Sequence, residues 1–171
     1  PEIVYHLAAN SDVKEGAEST NRDLNLTFMT TYNVLECMKK YKINKIVFTS
    51  IRSGDLELYT CNLNGDNVKQ ITNQLGYDGG AFFSHDGNKL VFRSSRPNTE
   101  REVKEYKDLL SQGLVQPTNM EIYTCNIDGS DLKQVTDLGK ANWSPFFHPS
   151  NEKIIFCSNH ESVIGFPFNL Y

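Results

Sequence analysis

Tyr77, Asp78, Asn142 and Trp143 are the residues of this 171-residue chain best equipped to hold a ligand. Asp78 and Asn142 occupy equivalent places in two repeats offset by 64 residues, in the stretches "YDGG" (77–80) and "ANWS" (141–144). Short polar side chains with Tyr and Trp beside them suit a peptide end or another polar ligand, through hydrogen bonds and a flat apolar surface. Asx residues ahead of a strand also bond their own turn, and a single Trp also serves as core, so both roles stay open at these positions. Other chemistry is poorly provided for. Ser, His and Asp residues occur without a nucleophile elbow or a placed base. His6, His85, His148 and His160 lack metal-ligand spacing, and the carboxylates are scattered rather than paired. Cys37, Cys61, Cys125 and Cys157 form no C-x-x-C pair and read as small buried thiols. The expectation is a non-enzymatic chain with no catalytic residue, no metal and no cofactor.

The elements that would position these residues are mostly strands. Glu57–Ser94 aligns without a gap on Glu121–Ser158: 14 of 38 positions are identical and six more exchange one aliphatic residue for another. Internal repeats of this kind signal arrayed units. In each copy "ELYTCN" or "EIYTCN" is joined to "KQIT" or "KQVT" across Asn64-Gly65 or Asp128-Gly129, dipeptides that tolerate φ > 0 at a hairpin turn. Asp86-Gly87 joins "AFFS" to "KLVFRS" in the same way. Four short strands per copy describe a propeller blade. The segment 97–118 between the copies predicts a helix, with a Thr99/Glu102 capping box, one face of Val103, Tyr106 and Leu110, and a stop at Gly113. It reads as a solvated cover over a blade edge.

Residues 1–50 differ. "EIVYHLAA" has the pattern of a strand buried on both faces, Leu24, Phe28, Thr31, Leu35 and Met38 line one helix face, and "KIVFTS" reads as a second strand. That order implies a parallel β-α-β crossover. "NKIVFTS" (44–50) also aligns with "NKLVFRS" (88–94) and "EKIIFCS" (152–158), so this strand suits either half and is read as shared.

Two resemblances follow. "VYHLAANSDV" with "NVLECMKK…INKIVFTS" is similar to the middle of an extended short-chain dehydrogenase of the NAD-dependent epimerase type. The resemblance places His6, Ala8 and Ala9 beside a dinucleotide, Asn25 near an active site, and Thr49 and Ser50 at the end of the strand that introduces a catalytic Ser/Thr. No G-x-x-G-x-x-G turn precedes the first strand and no Tyr-x-x-x-Lys follows the second, so these positions are expected to be vestigial. Residues 51–171 resemble TolB-like propeller blades, which carry an F-S-P-D-G-K core and an I-Y-x-x-N-x-D-G hairpin. His85 stands at the usual Pro, and Ser150-Asn151 replaces Asp-Gly. "FNLY", ending at Tyr171, begins a third copy. By this resemblance "AFFS" and "PFFH" are innermost strands, and the residues just before them face the mouth of a central channel.

The expected fold is mainly β: a partial propeller of about two four-stranded antiparallel blades (51–171, helical insertion 97–118) preceded by a β-α-β Rossmann-like fragment (1–50). The reading is of two family fragments joined through a shared strand, and Pro1 in place of Met points to a processed chain or an internal piece. A net charge of −4, with six basic and six acidic residues in 1–50 and 11 against 15 thereafter, argues against nucleic acid as a partner. No run of 18 apolar residues suggests a membrane span. The partner expected is a protein or peptide, with self-association through open blade edges as a further route. The compartment stays open, because the first resemblance points to the cytoplasm and the second to an exported protein. The alternative function is that of a nucleotide-sugar epimerase or reductase relative, or of a fragment with no independent role.

Overall fold

A computed structural model describes residues 45–116, 119–163 and 167–171, with helical positions at 29, 32–34 and 36. The fold is mainly β, in three antiparallel sheets. The first sheet holds β1 (Ile46–Ser50), β2 (Glu57–Cys61) and β3 (Lys69–Gln70). The second holds β4 (Asp78–Phe83), β5 (Lys89–Ser94), β6 (Glu121–Asn126) and β7 (Lys133–Gln134). The third holds β8 (Asn142–Phe147), β9 (Ile154–Ser158) and β10 (Asn169–Leu170).

The shared strand is thereby placed. β1 pairs antiparallel with β2, Phe48 opposite Tyr59, as β5 pairs with β6, Phe92 opposite Tyr123. Among the described residues one sheet has four strands and two have three, where the sequence reading had about two sheets of four. The difference arises because β1 joins β2 and β3 in a sheet of their own, and β10 adds a third strand to the sheet of β8 and β9. The β-α-β crossover proposed for residues 1–50 lies, apart from β1, outside the described residues.

The packing follows from the period of two along a strand. In β5, Leu90 and Phe92 point to one face and join Leu58 and Ile71 of the first sheet with Tyr123 and Cys125. Val91 points to the other face and joins Ile122 and Phe147 of the third sheet. Being covered on both sides is why "LVF" runs apolar without alternation. One aromatic pair recurs in every sheet: Phe48 stacks on Tyr59 at 5.8 Å, Phe92 on Tyr123 at 6.0 Å and Phe156 on Tyr171 at 5.7 Å. Burial pushes the Cys125 thiol up to about 12, which leaves it inert at neutral pH.

α1 (Glu100–Ser111) forms as its ends dictate. Thr99 Oγ1 accepts from Glu102 N and Glu102 Oε2 accepts from Thr99 N, closing the capping box, and Gly113 follows at φ 72. Tyr106, its one buried residue, donates a hydrogen bond to the Asp55 carboxylate and ties the helix to the β1–β2 loop.

The two hairpin glycines are not equivalent. Both turns need a positive φ, 83 at Gly65 and 87 at Gly129. A Cβ at Gly65 meets nothing within 4 Å, whereas one at Gly129 would come within 2.2 Å of the Ile71 carbonyl oxygen in the neighbouring sheet. Gly65→Ala is expected to cost about 1 kcal/mol and Gly129→Ala at least about twice that, since backbone must also yield. Urea unfolding of the two variants measures the difference, and equal losses would show that the turn at Gly129 is not pressed against Ile71.

Candidate ligand site

β4 and β8 open their sheets in the same way, and the two strands lie against each other. Each begins three residues before its apolar run, at Asp78 or Asn142, and each carries a register shift at the matching place, between Gly79 and Phe82 and between Trp143 and Phe146. The extra residues sit at positive φ, 61 at Gly80 and 50 at Ser144. A bulge of this kind bends the strand and redirects the side chains beside it.

The four residues singled out from the sequence separate into two layers. Asp78 and Asn142 have no exposed surface and are engaged by the fold. Asp78 Oδ1 lies 2.8 Å from Arg96 Nη2, and burial still pushes its carboxyl above the usual carboxylate range against the pull of that guanidinium. Asn142 Nδ2 donates to Met120 O at 2.9 Å, Glu121 Oε2 at 3.1 Å and Gly139 O at 3.2 Å, fastening the second sheet to the third. Both face a repeated Glu–Thr clasp: Thr72 Oγ1 donates to Glu57 and accepts from Leu58 N, and Thr136 Oγ1 donates to Glu121 and accepts from Ile122 N. Against Glu57 the next sheet sets a carboxyl, and against Glu121 an amide.

Tyr77 and Trp143 form the other layer, brought together by a residue the sequence reading passed over. Arg93, on the Val91 face of β5, lies 5.5 Å from the Tyr77 ring centroid and 5.3 Å from that of Trp143, and its Nη2 donates to the Tyr77 hydroxyl at 3.2 Å. Trp143 stacks in turn on Phe168 at 5.0 Å. Arg93 Nε is buried with no acceptor among the described residues. The repeat carried the signal, because Thr49 and Cys157 occupy the equivalent strand positions and only the middle copy has a cation there.

The remaining candidates fall elsewhere. Thr49 Oγ1 donates to Asp78 O at 3.2 Å, tying the first sheet to the second, and Ser50 Oγ accepts from Arg52 Nε at 3.2 Å in the loop that follows β1. His6, Ala8, Ala9 and Asn25 lie outside the described residues. His85 Nε2 lies 3.1 Å from Phe147 O and His85 N donates to Asn151 Oδ1, latching two sheets, while His148 and His160 each pair with a serine hydroxyl. A cavity of about 380 Å³ beside α1 is lined by Arg96, Arg101, Glu102 and Tyr106, among others. Arg96, Glu102 and Tyr106 are engaged with Asp78, Thr99 and Asp55 respectively, and the exposed Arg101 lies 3.7 Å from Glu105. No group of three or more metal-ligating side chains occurs among the described residues.

Comparison with known proteins finds two kinds of relative. Residues 1–53 match the model of the NAD dependent epimerase/dehydratase family. A Methanocaldococcus jannaschii protein provisionally named UDP-glucose 4-epimerase is 43% identical over 49 residues, which are 29% of this chain and 16% of that one. A TolB homolog from Chlorobium chlorochromatii is 30% identical over 168 residues, covering 84% of this chain and 38% of the homolog. The crystal structure of TolB from Acinetobacter baumannii superposes on 75% of this chain and 27% of its own, with a TM-score of 0.52 and 21% identity, which shows a likeness of fold. The chain spans well under half the length of each of these relatives.

Proposed function

From a chain that joins an epimerase-family segment to TolB-like sheets, we propose a part of a TolB-type β-propeller that binds a peptide or protein partner and performs no catalysis. The observation that carries this reading is the junction of β4, β5 and β8. There two bulged strands bring Tyr77, Arg93 and Trp143 together, with Arg93 Nε buried and lacking an acceptor among the described residues. Aromatic residues and arginine are the side chains most often found to anchor protein interfaces. Against catalysis stands the use of β1: the strand that would introduce a dehydrogenase Ser/Thr is paired antiparallel with β2 inside a blade, its Thr49 bonds the first residue of β4 in the next sheet, and its Ser50 accepts from Arg52 in the following loop.

Selection of a displayed random-peptide library on the immobilised chain tests the reading. Enriched clones are expected to lose most of their binding to Trp143→Ala and Tyr77→Ala. Equal retention on the variants would remove the junction from consideration. Titration with NAD is expected to give no saturable signal; a saturable one, competed by UDP-sugars, would move the function to the epimerase segment.

A further inference from the structure

We propose that Arg93 is a carboxylate receptor, and that the ligand at this junction is a peptide presenting a carboxylate to its Nε/Nη2 edge. The proposal rests on the binding reading above and names the chemistry of its ligand.

A guanidinium N–H removed from water requires an acceptor, and at the half-buried Arg93 one is missing. Among the described residues Arg93 has one hydrogen bond, from Nη2 to the Tyr77 hydroxyl, and its buried Nε has none. Among the described residues no carboxylate lies within salt-bridge distance of it, whereas Arg96, three residues on, is paired with Asp78. The fold does not demand the charge, because the equivalent strand positions hold Thr49 and Cys157. The two rings that Arg93 packs over hold its plane in place and leave the edge as its recognition surface.

The neighbouring glycines keep side chains off that edge. A Cβ at Gly80 would come 3.5 Å from Arg93 Nε, and one at Gly79 would strike the Tyr77 hydroxyl at 2.2 Å. Gly80 is itself exposed, so a side chain there would sit between solvent and Nε. A carboxylate arriving by this path can bond side-on, one oxygen to Nε and the other to Nη2 in the place the Tyr77 hydroxyl now holds. The stacked Trp143 and Phe168 rings then offer an apolar seat to the residue that bears it.

Trp143 is the only tryptophan of the chain and adjoins the guanidinium, so its emission reports the site directly. Three peptides are titrated against the unaltered chain: acetyl-Ala-Ala-Phe with a free C-terminal carboxylate, the same peptide as its amide, and acetyl-Ala-Asp-Phe amide. The free acid is expected to bind at least about tenfold more tightly than the plain amide. Binding of the Asp peptide at the level of the free acid assigns the site to side-chain carboxylates, and weaker binding assigns it to chain ends. Arg93→Met should abolish the preference, Arg93→Lys should keep part of it, and Tyr77→Phe, which removes the competing hydroxyl, should bind the acid at least as well as the unaltered chain. Equal affinity for the acid and the plain amide overturns the proposal and leaves peptide binding standing. Silence of Trp143 toward all three, while library clones still bind, overturns it too. The acid–amide comparison needs no variant, so it decides the matter even if Arg93→Met does not fold.

Discussion

Phe92→Ala is expected to lower stability by about 3–5 kcal/mol, enough to unfold a marginal domain, because it empties the centre of the larger of the two core clusters among the described residues. Phe92 has no exposed surface, stacks on Tyr123, and packs with Leu58 and Ile71 of the first sheet. The middle sheet lies between two others, so a cavity on its face loosens the contact between sheets as well as the pair itself. Phe48 and Phe156 make the same aromatic pair in the outer sheets but are only partly buried. Their alanine variants remove less apolar surface from cover and should cost roughly half as much or less. Urea denaturation followed by Trp143 fluorescence and far-UV dichroism ranks the three. Equal losses would show that each pair acts locally and that sheet-to-sheet packing through Phe92 is not the main support.

The repeat made most of the strand pattern legible. Asn64-Gly65 and Asp128-Gly129 marked their hairpins, Thr99 and Glu102 marked the start of α1, and the alignment of Asn44–Ser50 with two blade strands anticipated β1. The side-chain roles were harder to read, for a physical reason. Asp78 and Asn142 could be paired by the 64-residue offset, but whether a polar residue is exposed or buried depends on partners distant in sequence. Those partners are Arg96 for Asp78 and Met120 and Glu121 for Asn142, all 18 to 22 residues away. Strand pattern also placed both residues before the strand, although each is its first paired residue, opposite Ser94 and Ser158. Arg93 was hidden differently. In an aligned repeat one unmatched residue looks like drift, and only the position of Trp143 and Tyr77 in space shows that it has company.

Glu57→Gln is expected to stabilise the protein above neutral pH and to leave it unchanged near pH 4.5. Glu57 is 2% exposed, accepts from the Thr72 hydroxyl at 2.5 Å, and faces the buried Asp78 carboxyl with Asp55 close by. Burial first, then those neighbouring carboxylates, push its pKa from 4.5 to about 7, although the Thr72 hydrogen bond pulls the other way. The folded chain therefore holds a proton that the unfolded chain releases between about pH 4.5 and 7, so stability falls as pH rises through that window. The loss amounts to at most about 3 kcal/mol and is complete above the folded value. Geometry gives the proton a destination. Asp78 Oδ1 lies beside Arg96 yet accepts no hydrogen bond, and a protonated Glu57 supplies one. Glutamine keeps the Thr72 contact through its carbonyl and offers Asp78 an amide N–H at every pH, which is the pairing that Glu121 and Asn142 already make with the roles reversed. Glu57→Ala separates this account from a general effect of removing charge, since it strands both the Thr72 hydroxyl and Asp78 and should destabilise at every pH. Urea unfolding of the unaltered chain and both variants between pH 4.5 and 8.5 provides the comparison, and subtracting the Gln variant's curve cancels the histidines. A flat difference curve would mean that Glu57 is ionised in the folded protein and that Arg96 neutralises both carboxylates.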